Sequence, residues 1–488
     1  MGHSVKIIAV LAACLLFLLR RVASRRQQLP NPPGPKGLPL LGNLFDFPTT
    51  DPVSAALKWH RQYGNITSLH MLGKSIVYLH SAQTAKDLLM KRGAIYSDRP
   101  QLIMATDLYA ILGPDDDRLR KQRALMERVI GAASIPAHCQ LLEIETIGLL
   151  HRLVQAPEDY RAHFVRYSTA LTCLVVYGHR VTSNEDWLVK MLKGSLDLLA
   201  NDIIPPPPKG IWAVDMFPFL KHIPAWVPFA SFKRKALKWR AQMADGYTRP
   251  FIQVKKKLAE GTAIPSFCSI LLQEAEYMSA EKEDNIKWAA NSIVAAIKIG
   301  TVINNLLLLI VLHPAKFMKA KAEIDNVVKG HLPTLADRLS LPYTECVLSE
   351  VLRVAAPVPL GLPHRLREDD HYNGYFLPKD SVVIANIMAM LREKSLYPDP
   401  EAFLPERFDP TMVDETTRMT RDPRRWIFGF GRSRRCPGMH LAEASTWLAM
   451  VSILATLDVT KDVDVDGNVI EPEVKFDNLN YRHVSGFE

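Results

Sequence analysis

Between Trp288 and Leu312 the chain reads WAANSIVAAIKIGTVINNLLLLIVL, an apolar run without proline that stops only at His313-Pro314. It is long enough to cross a bilayer. Lys298, Asn304 and Asn305 interrupt it, however, and such groups are costly at membrane depth. A long core helix crossing the whole domain is therefore the better reading, and any fold must be arranged around it. Most of the remaining sequence has helical periodicity. Short β-like runs occur at Ser75–Leu79 and Ser381–Ile384. The expected fold is mainly α with a small β region. With 488 residues, 48% of them hydrophobic, the chain can bury a large core. Length alone would allow about three domains, but there is no internal repeat and no long low-complexity segment. The sharpest internal break is Pro205–Pro208, followed by VDMFPFLKHIPAWVPF at 214–229. That greasy insert suits a ligand entrance, a membrane contact or a plain core connection.

The N-terminus carries IIAVLAACLLFLL at 7–19, with Arg20, Arg21, Arg25 and Arg26 behind it. A cleaved signal peptide has its positive charge before the apolar run. Here the charge falls mostly after it, which keeps that side cytoplasmic. Residues 1–28 thus read as an uncleaved membrane anchor with a basic flank, and 29–43, LPNPPGPKGLPLLGN, as a stiff proline-rich hinge. Residues 44–488 form the body, expected in the cytosol on an endoplasmic reticulum-type membrane. The net charge of +9 suits an acidic protein partner or a membrane surface. Nucleic acid is excluded as a partner, because the basic residues are dispersed and not interleaved with aromatics. The six cysteines, at 14, 139, 173, 268, 346 and 436, show no CxxC spacing and no disulfide framework.

One cysteine has special surroundings. Cys436 lies in WIFGFGRSRRCPGMHLAEA, after Arg432, Arg434 and Arg435 and just before a helix-like run. Positive charge and backbone donors favour a thiolate. Gly431 and Gly438 permit a turn whose amides point at sulfur, and a helix beginning near Pro437 adds its positive end. A thiolate ligand to a haem iron uses all of these parts; an inert buried cysteine before a helix uses none. Upstream, Glu350 and Arg353 stand at i and i+3 inside the apolar CVLSEVLRVAAPVPL, so the pair is expected to be buried and to need further partners. Arg407, in FLPERF, is placed to complete that network, and His364 stands where a strand begins.

The order ExxR (350–353), PHR (363–365), PERF (405–408) and FGFG…R-x-C-P-G (428–438) resembles the cytochrome P-450 haem-thiolate family. KAEIDNVV, LPYTECVLSEVLR and YPDPEAFLPERF are similar to its fungal, membrane-bound, secondary-metabolite branch. With PPGPKGLPLLGN near the start, the resemblance covers essentially the whole chain. It implies a single domain of the P-450 fold, binding heme b (iron protoporphyrin IX) with Cys436 as the thiolate ligand to iron. It further implies a structural triad of Glu350, Arg353 and Arg407, and haem-propionate partners His364, Arg123 and Arg434. The partners it implies are NADPH-cytochrome P-450 reductase and an apolar small-molecule substrate, with membrane lipid around the anchor. The activity it implies is a monooxygenase of specialised metabolism that inserts one oxygen atom from dioxygen.

Several positions depart from the family pattern. Four residues rather than three separate Gly431 from Cys436, so a bulge at Arg432–Ser433 is expected to absorb the extra one. Leu119 replaces the tryptophan of W-x-x-x-R, whose arginine is Arg123. In the long helix, Ile297 and Lys298 stand where the family has an acid–alcohol pair that relays protons. Lys298 can donate a proton if burial depresses its pKa, can bind a substrate anion, or can snorkel away. Thr301, about one turn on, is the nearby hydroxyl. Asp380 occupies a turn position usually held by glycine, and the chain stops at RHVSGFE, so the final hairpin is expected to be incomplete. These departures leave two alternatives: an atypical haem-thiolate enzyme (peroxygenase, isomerase or dehydratase) or an inactive pathway partner.

Overall fold

A computed structural model describes residues 29–39, 41–48, 50–100, 102–104, 116–203, 212–274, 278–296, 299–431, 433–474, 476–477 and 483–484. The anchor (1–28), Pro205–Pro208, Arg432 and the pair Ile297–Lys298 lie outside the described residues. The longer helices are α1 Pro52–Tyr63, α2 Asp117–Ile130, α3 Ile135–Gln155, α4 Tyr160–Tyr177, α5 Trp187–Leu198, α6 Ser231–Ala259, α7 Ala280–Ala296, α8 Ile299–Leu312, α9 Pro314–Val328, α10 Pro342–Val354 and α11 Met439–Thr456. The fold is mainly α with small sheets, as the sequence predicts.

The apolar run at 288–312 occupies the last part of α7 and all of α8. Of its most hydrophobic window, 79% is buried inside the protein. It is a core element, packed with α3, α4 and α9 to α11 around Leu142, Phe164, Leu306, Val351 and Trp447. Gly300 permits the close approach of α8 to α4: a Cβ there would sit 2.8 Å from the carbonyl oxygen of Phe164. Thr301 follows, half-buried in the first turn of α8.

The main sheet has the order β1 (Ile66–Met71), β2 (Lys74–Leu79), β6 (Val382–Ala385), β3 (His364–Arg365), and β4 (Asp370–Tyr372) pairs with β5 (Tyr375–Leu377). The two β-like runs seen in the sequence are neighbours, Ile76 to Leu79 running parallel to Val382 to Ala385. Their β-branched residues suit a strand buried on both faces. Val77 and Leu79 enter one core, while Ile76 and Tyr78 enter another with Trp59. The first of these cores also takes Trp426 and Phe430, so sheet and cysteine loop share a foundation. A short hairpin pairs β7 (Phe476–Asp477) with β8 (His483–Val484). Asp380 has φ +65°, a conformation that glycine adopts freely and aspartate only with some strain.

The proline-rich 29–43 stretch is fastened to the sheet. Ser68 donates its amide to Pro33 O (2.9 Å) and its hydroxyl to Pro32 O (2.6 Å), and Asn43 N–H meets His70 O at 2.6 Å. Gly34 and Gly42 let the backbone pass within 1.9 Å of where a Cβ would strike Ser68 O and His70 O.

Glu350 and Arg353 on α10 are fully buried and doubly bonded, Nε to Oε2 at 2.7 Å and Nη2 to Oε1 at 2.8 Å. Arg353 also donates to Leu391 O (3.0 Å), Pro400 O (2.8 Å) and Ala402 O (3.1 Å). Glu350 accepts the Leu404 amide at 2.8 Å, and Arg407 lies 3.5 Å from its Oε1 while donating to Pro398 O and Asp399 O. The triad is thus assembled as expected. Removing one member leaves the others buried and unpaired, at about 3–5 kcal/mol. Arg353→Met is therefore expected to lower unfolding stability by about that amount, and urea denaturation followed by circular dichroism measures it.

Candidate active site

The chain from Trp426 to Gly438 is bent by Gly429 (φ +84°) and Gly431 (φ +72°) and closed by a bond from Cys436 N–H to Phe428 O at 2.7 Å. A Cβ on Gly429 would come within 3.0 Å of Arg434 O, so the loop folds tightly upon itself. The extra residue between Gly431 and Cys436 leaves this closure intact. Gly438 is the N-cap of α11, and its amide is directed at the Cys436 sulfur, where it favours the ionised form.

The charges around the sulfur differ from the expectation. Arg434 is buried and turns its Nε to Ser97 O at 2.5 Å, while Arg435 is exposed. Among the described residues, the cation whose field reaches the thiol is Arg123 on α2, which donates Nη2–H to Arg435 O at 2.6 Å. Cys436 as a residue is half-buried, but protein packed around the sulfur makes desolvation the larger effect. The thiol's pKa is therefore raised, with the Gly438 amide and Arg123 pulling it partly back. A flanking run of arginines does not by itself make a thiolate; a metal that takes the sulfur's proton does so outright.

The arginines serve a second purpose. His364 is buried and donates Nδ1–H to Tyr96 O at 2.8 Å. Burial first, then Arg99 and Arg434, hold its pKa well below the usual imidazole range. Protonation would turn Nε2 into a donor, which only an incoming anion favours. Arg99, not singled out by the sequence, is buried and donates Nη1–H to Leu362 O (2.8 Å) and Pro363 O (2.6 Å). Its buried Nε has no partner among the described residues. Burial and the fields of Arg434 and Arg123 bring its pKa down to about 9. Asp98 offers a little relief, but it is engaged with Arg365 and Arg367. Among the described residues, four potential cations, Arg99, Arg123, His364 and Arg434, thus converge, and Asp98 is the carboxylate whose field reaches Arg99. Such an arrangement is costly unless anions arrive. A group carrying carboxylates toward these side chains and a thiolate-seeking iron toward Cys436 fits the donor set, and haem is that group.

The chain belongs to the cytochrome P-450 family. The family model described as cytochrome P-450 matches residues 32–482. The chain is similar to cytochrome P-450 monooxygenase claT of Ampulloclitocybe clavipes, 39% identical over 471 residues, covering 95% of this chain and 91% of the relative. It is also similar to cytochrome P-450 monooxygenase 136 of Postia placenta, 38% identical over 490 residues, 98% and 91% of the two chains. Cytochrome P-450 monooxygenase claR of A. clavipes is 36% identical over 479 residues, 96% and 87%. The chain is accordingly an oxidoreductase of the haem-thiolate class.

This P-450 clamps its cysteine loop through a network that sequence reasoning missed. Arg424, two residues before Trp426, donates to Glu345 (2.5 Å), Glu443 (2.8 Å), Asp422 (3.2 Å) and Ser349 Oγ (2.8 Å). Arg338 reaches the same two glutamates, at 3.0 and 2.7 Å. Glu345 and Ser349 belong to α10 and Glu443 to α11, so both arms of the loop are tied to one helix. Arg424's pKa is raised: burial opposes its charge, but the surrounding carboxylates outweigh that. Of the residues expected to meet the cofactor, Cys436, Arg123, His364 and Arg434 come together, whereas Thr301 is on α8 and Lys298 lies outside the described residues.

Arg99 gives a test with opposite signs in two states. Arg99→Leu removes a poorly compensated buried charge, so the cofactor-free chain is expected to unfold at higher urea. With haem bound, the same change would remove a charge-assisted bond from Arg99 to a carboxylate of the cofactor, worth about 1.5–3 kcal/mol. Haem transfer to apomyoglobin is then expected to quicken by roughly 10- to 100-fold.

Proposed function

We propose that this protein is a membrane-anchored monooxygenase of specialised metabolism, binding heme b through Cys436 and using NADPH-cytochrome P-450 reductase as electron donor. The observation that carries this reading is the convergence of Arg99, Arg123, His364 and Arg434 near Cys436, whose loop is closed by its own amide on Phe428 O. When bound, heme b supplies the dioxygen chemistry that places one oxygen atom in an apolar small molecule. The chain's part is to anchor the sulfur, to pair Arg99, Arg123, His364 and Arg434 with carboxylates, and to manage protons. Ile297 has no proton to give. We assign that task to Lys298, with Thr301 as the accompanying hydroxyl. A peroxygenase, isomerase, dehydratase or inactive partner is the second reading, and the replacement of the acid–alcohol pair by Ile297 and Lys298 is what favours it.

A reduced carbon monoxide difference spectrum is expected to show the thiolate-type band in the native protein and not in Cys436→Ser. Turnover is expected with NADPH and reductase; turnover with peroxide alone moves the protein to the second reading. Lys298→Thr is expected to raise the fraction of NADPH consumption that ends in product, and an unchanged fraction removes Lys298 from the proton path.

The proposed membrane association has a second element besides residues 1–28. Phe219 (67% exposed), Trp226 (82%) and Phe229 (90%) stand out from the 214–229 insert, with Lys221 and His222 among them. Phe45 (75%) and Leu41 are exposed near the β1–β2 turn, which Lys74 ties to this insert by donating to Asp215 O at 2.7 Å. Apolar rings rimmed by basic groups suit a lipid interface, and we place the catalytic body on the cytosolic face of the endoplasmic reticulum. A chain beginning at Leu29 is expected to bind phosphatidylcholine vesicles, and Trp226→Ser with Phe229→Ser to weaken partitioning by roughly tenfold or more, read by flotation.

A further inference from the structure

Helices α3 and α11 leave a space between them that the cysteine chemistry does not use. It is a cavity of about 100 Å³, bounded on its third side by the turn after α9. Ile147 and Leu150 of α3, Leu448 of α11, and Leu332 and Pro333 of the turn make its walls mostly apolar. Leu448 is fully buried, whereas Ile147 (50% exposed) and Leu332 (42%) stand at the mouth. Ile144, also half exposed, continues the apolar rim one turn back along α3.

Four polar side chains reach this wall, and two of them are already committed. Thr146 donates its hydroxyl to Leu142 O at 2.7 Å and meets Tyr167 OH at 3.0 Å. The Thr334 hydroxyl donates to Asp337 Oδ2 at 2.8 Å. The Glu143 carboxylate forms no ion pair and no hydrogen bond among the described residues, and neither does the hydroxyl of Ser452, a residue only 3% exposed. Ser445, on the same helix, bonds back to Leu441 O at 2.7 Å. Ser452 does not, and a buried hydroxyl left unmatched is costly until something enters the space beside it.

We propose that this cavity binds a small aromatic amine, its ring between α3 and α11, a polar ring substituent at the Ser452 hydroxyl and its ammonium at the Glu143 carboxylate. An apolar cavity of similar size, roughly 150 Å³, accepts a benzene ring. An ammonium brings the donors that a carboxylate lacks. An apolar side chain of a partner protein fills the same space but leaves both polar groups unanswered. The site is separate from the cysteine loop, because Ser452 lies about 20 Å along the axis from the first turn of α11. It therefore does not rest on the haem reading. The occupant joins α3, α11 and the turn after α9, and stabilises the folded chain by mass action.

The probes are tyramine and phenethylamine, with ethylammonium as the ringless control, titrated by calorimetry into the native full-length protein. A one-ring ligand is expected to bind at around millimolar concentration, tyramine several-fold more tightly than phenethylamine, and ethylammonium without measurable heat. Ser452→Ala is expected to erase the advantage of tyramine and leave phenethylamine unchanged. Glu143→Gln is expected to weaken both by about threefold to fivefold, as for a partly exposed ion pair. Ile147→Trp fills the mouth from a half-exposed position and is expected to weaken both by about tenfold or more; that loss separates this cavity from any amine held at a metal. Binding that survives Ile147→Trp unchanged overturns the proposal. So does absence of binding by both aromatic amines, which leaves the space to water or to a partner's side chain. Should Ser452→Ala not fold, the native chain decides: tyramine is expected to slow amide hydrogen exchange at Leu332 and Thr334 several-fold and phenethylamine less, and exchange unmoved by either overturns it.

Discussion

The interaction on which the rest depends is the dry pairing of Glu350 with Arg353. Both side chains are fully buried, where an unmatched charge is prohibitive. The pair survives because it also serves the main chain. The carbonyls of Leu391, Pro398, Asp399, Pro400 and Ala402 belong to a largely irregular segment with no ladder of its own to join, and Arg353 and Arg407 supply the donors. The arginines thus take the place of water for a buried stretch of coil. Beyond that coil, the short helices Glu415–Arg421 and Arg424–Ile427 carry the chain to the loop bearing Cys436.

Helix α10 uses two of its faces for this purpose. Glu350 and Arg353 organise the coil, while Glu345 and Ser349 face Arg424 on the approach to the cysteine and share it with Glu443 on the helix that follows. The sulfur is therefore set by a frame that is rigid on both sides, and the electrostatics near it are divided. Carboxylates outweigh or match the arginines in the α10 network. Among the described residues, cations prevail in the group made by Arg99, Arg123, His364 and Arg434.

Much of this was legible in the sequence where a local pattern carries its own physics. A buried i, i+3 ion pair inside an apolar helix announces partners, and Arg407 was found that way. β-branched runs at 75–79 and 381–384 announced strands, although their parallel pairing is a long-range matter that no local pattern contains. The thiol was legible, but its electrostatics were not. Sequence proximity put Arg434 and Arg435 beside sulfur, whereas the fold turns one to Ser97 and exposes the other, bringing Arg123 from a distant helix instead. Arg99 escaped notice because SDRP reads as an ordinary turn before proline, and only the packing of His364 and Arg434 against it gives it a role. Arg424 escaped because its acidic partners lie on two separate helices.

Gly300 bears on how this scaffold can change. With the Phe164 carbonyl so near, any larger residue at that position would push α8 away from α4. Successive mutation must therefore leave the spacing of those two helices untouched, and the frame they share is inherited as a unit.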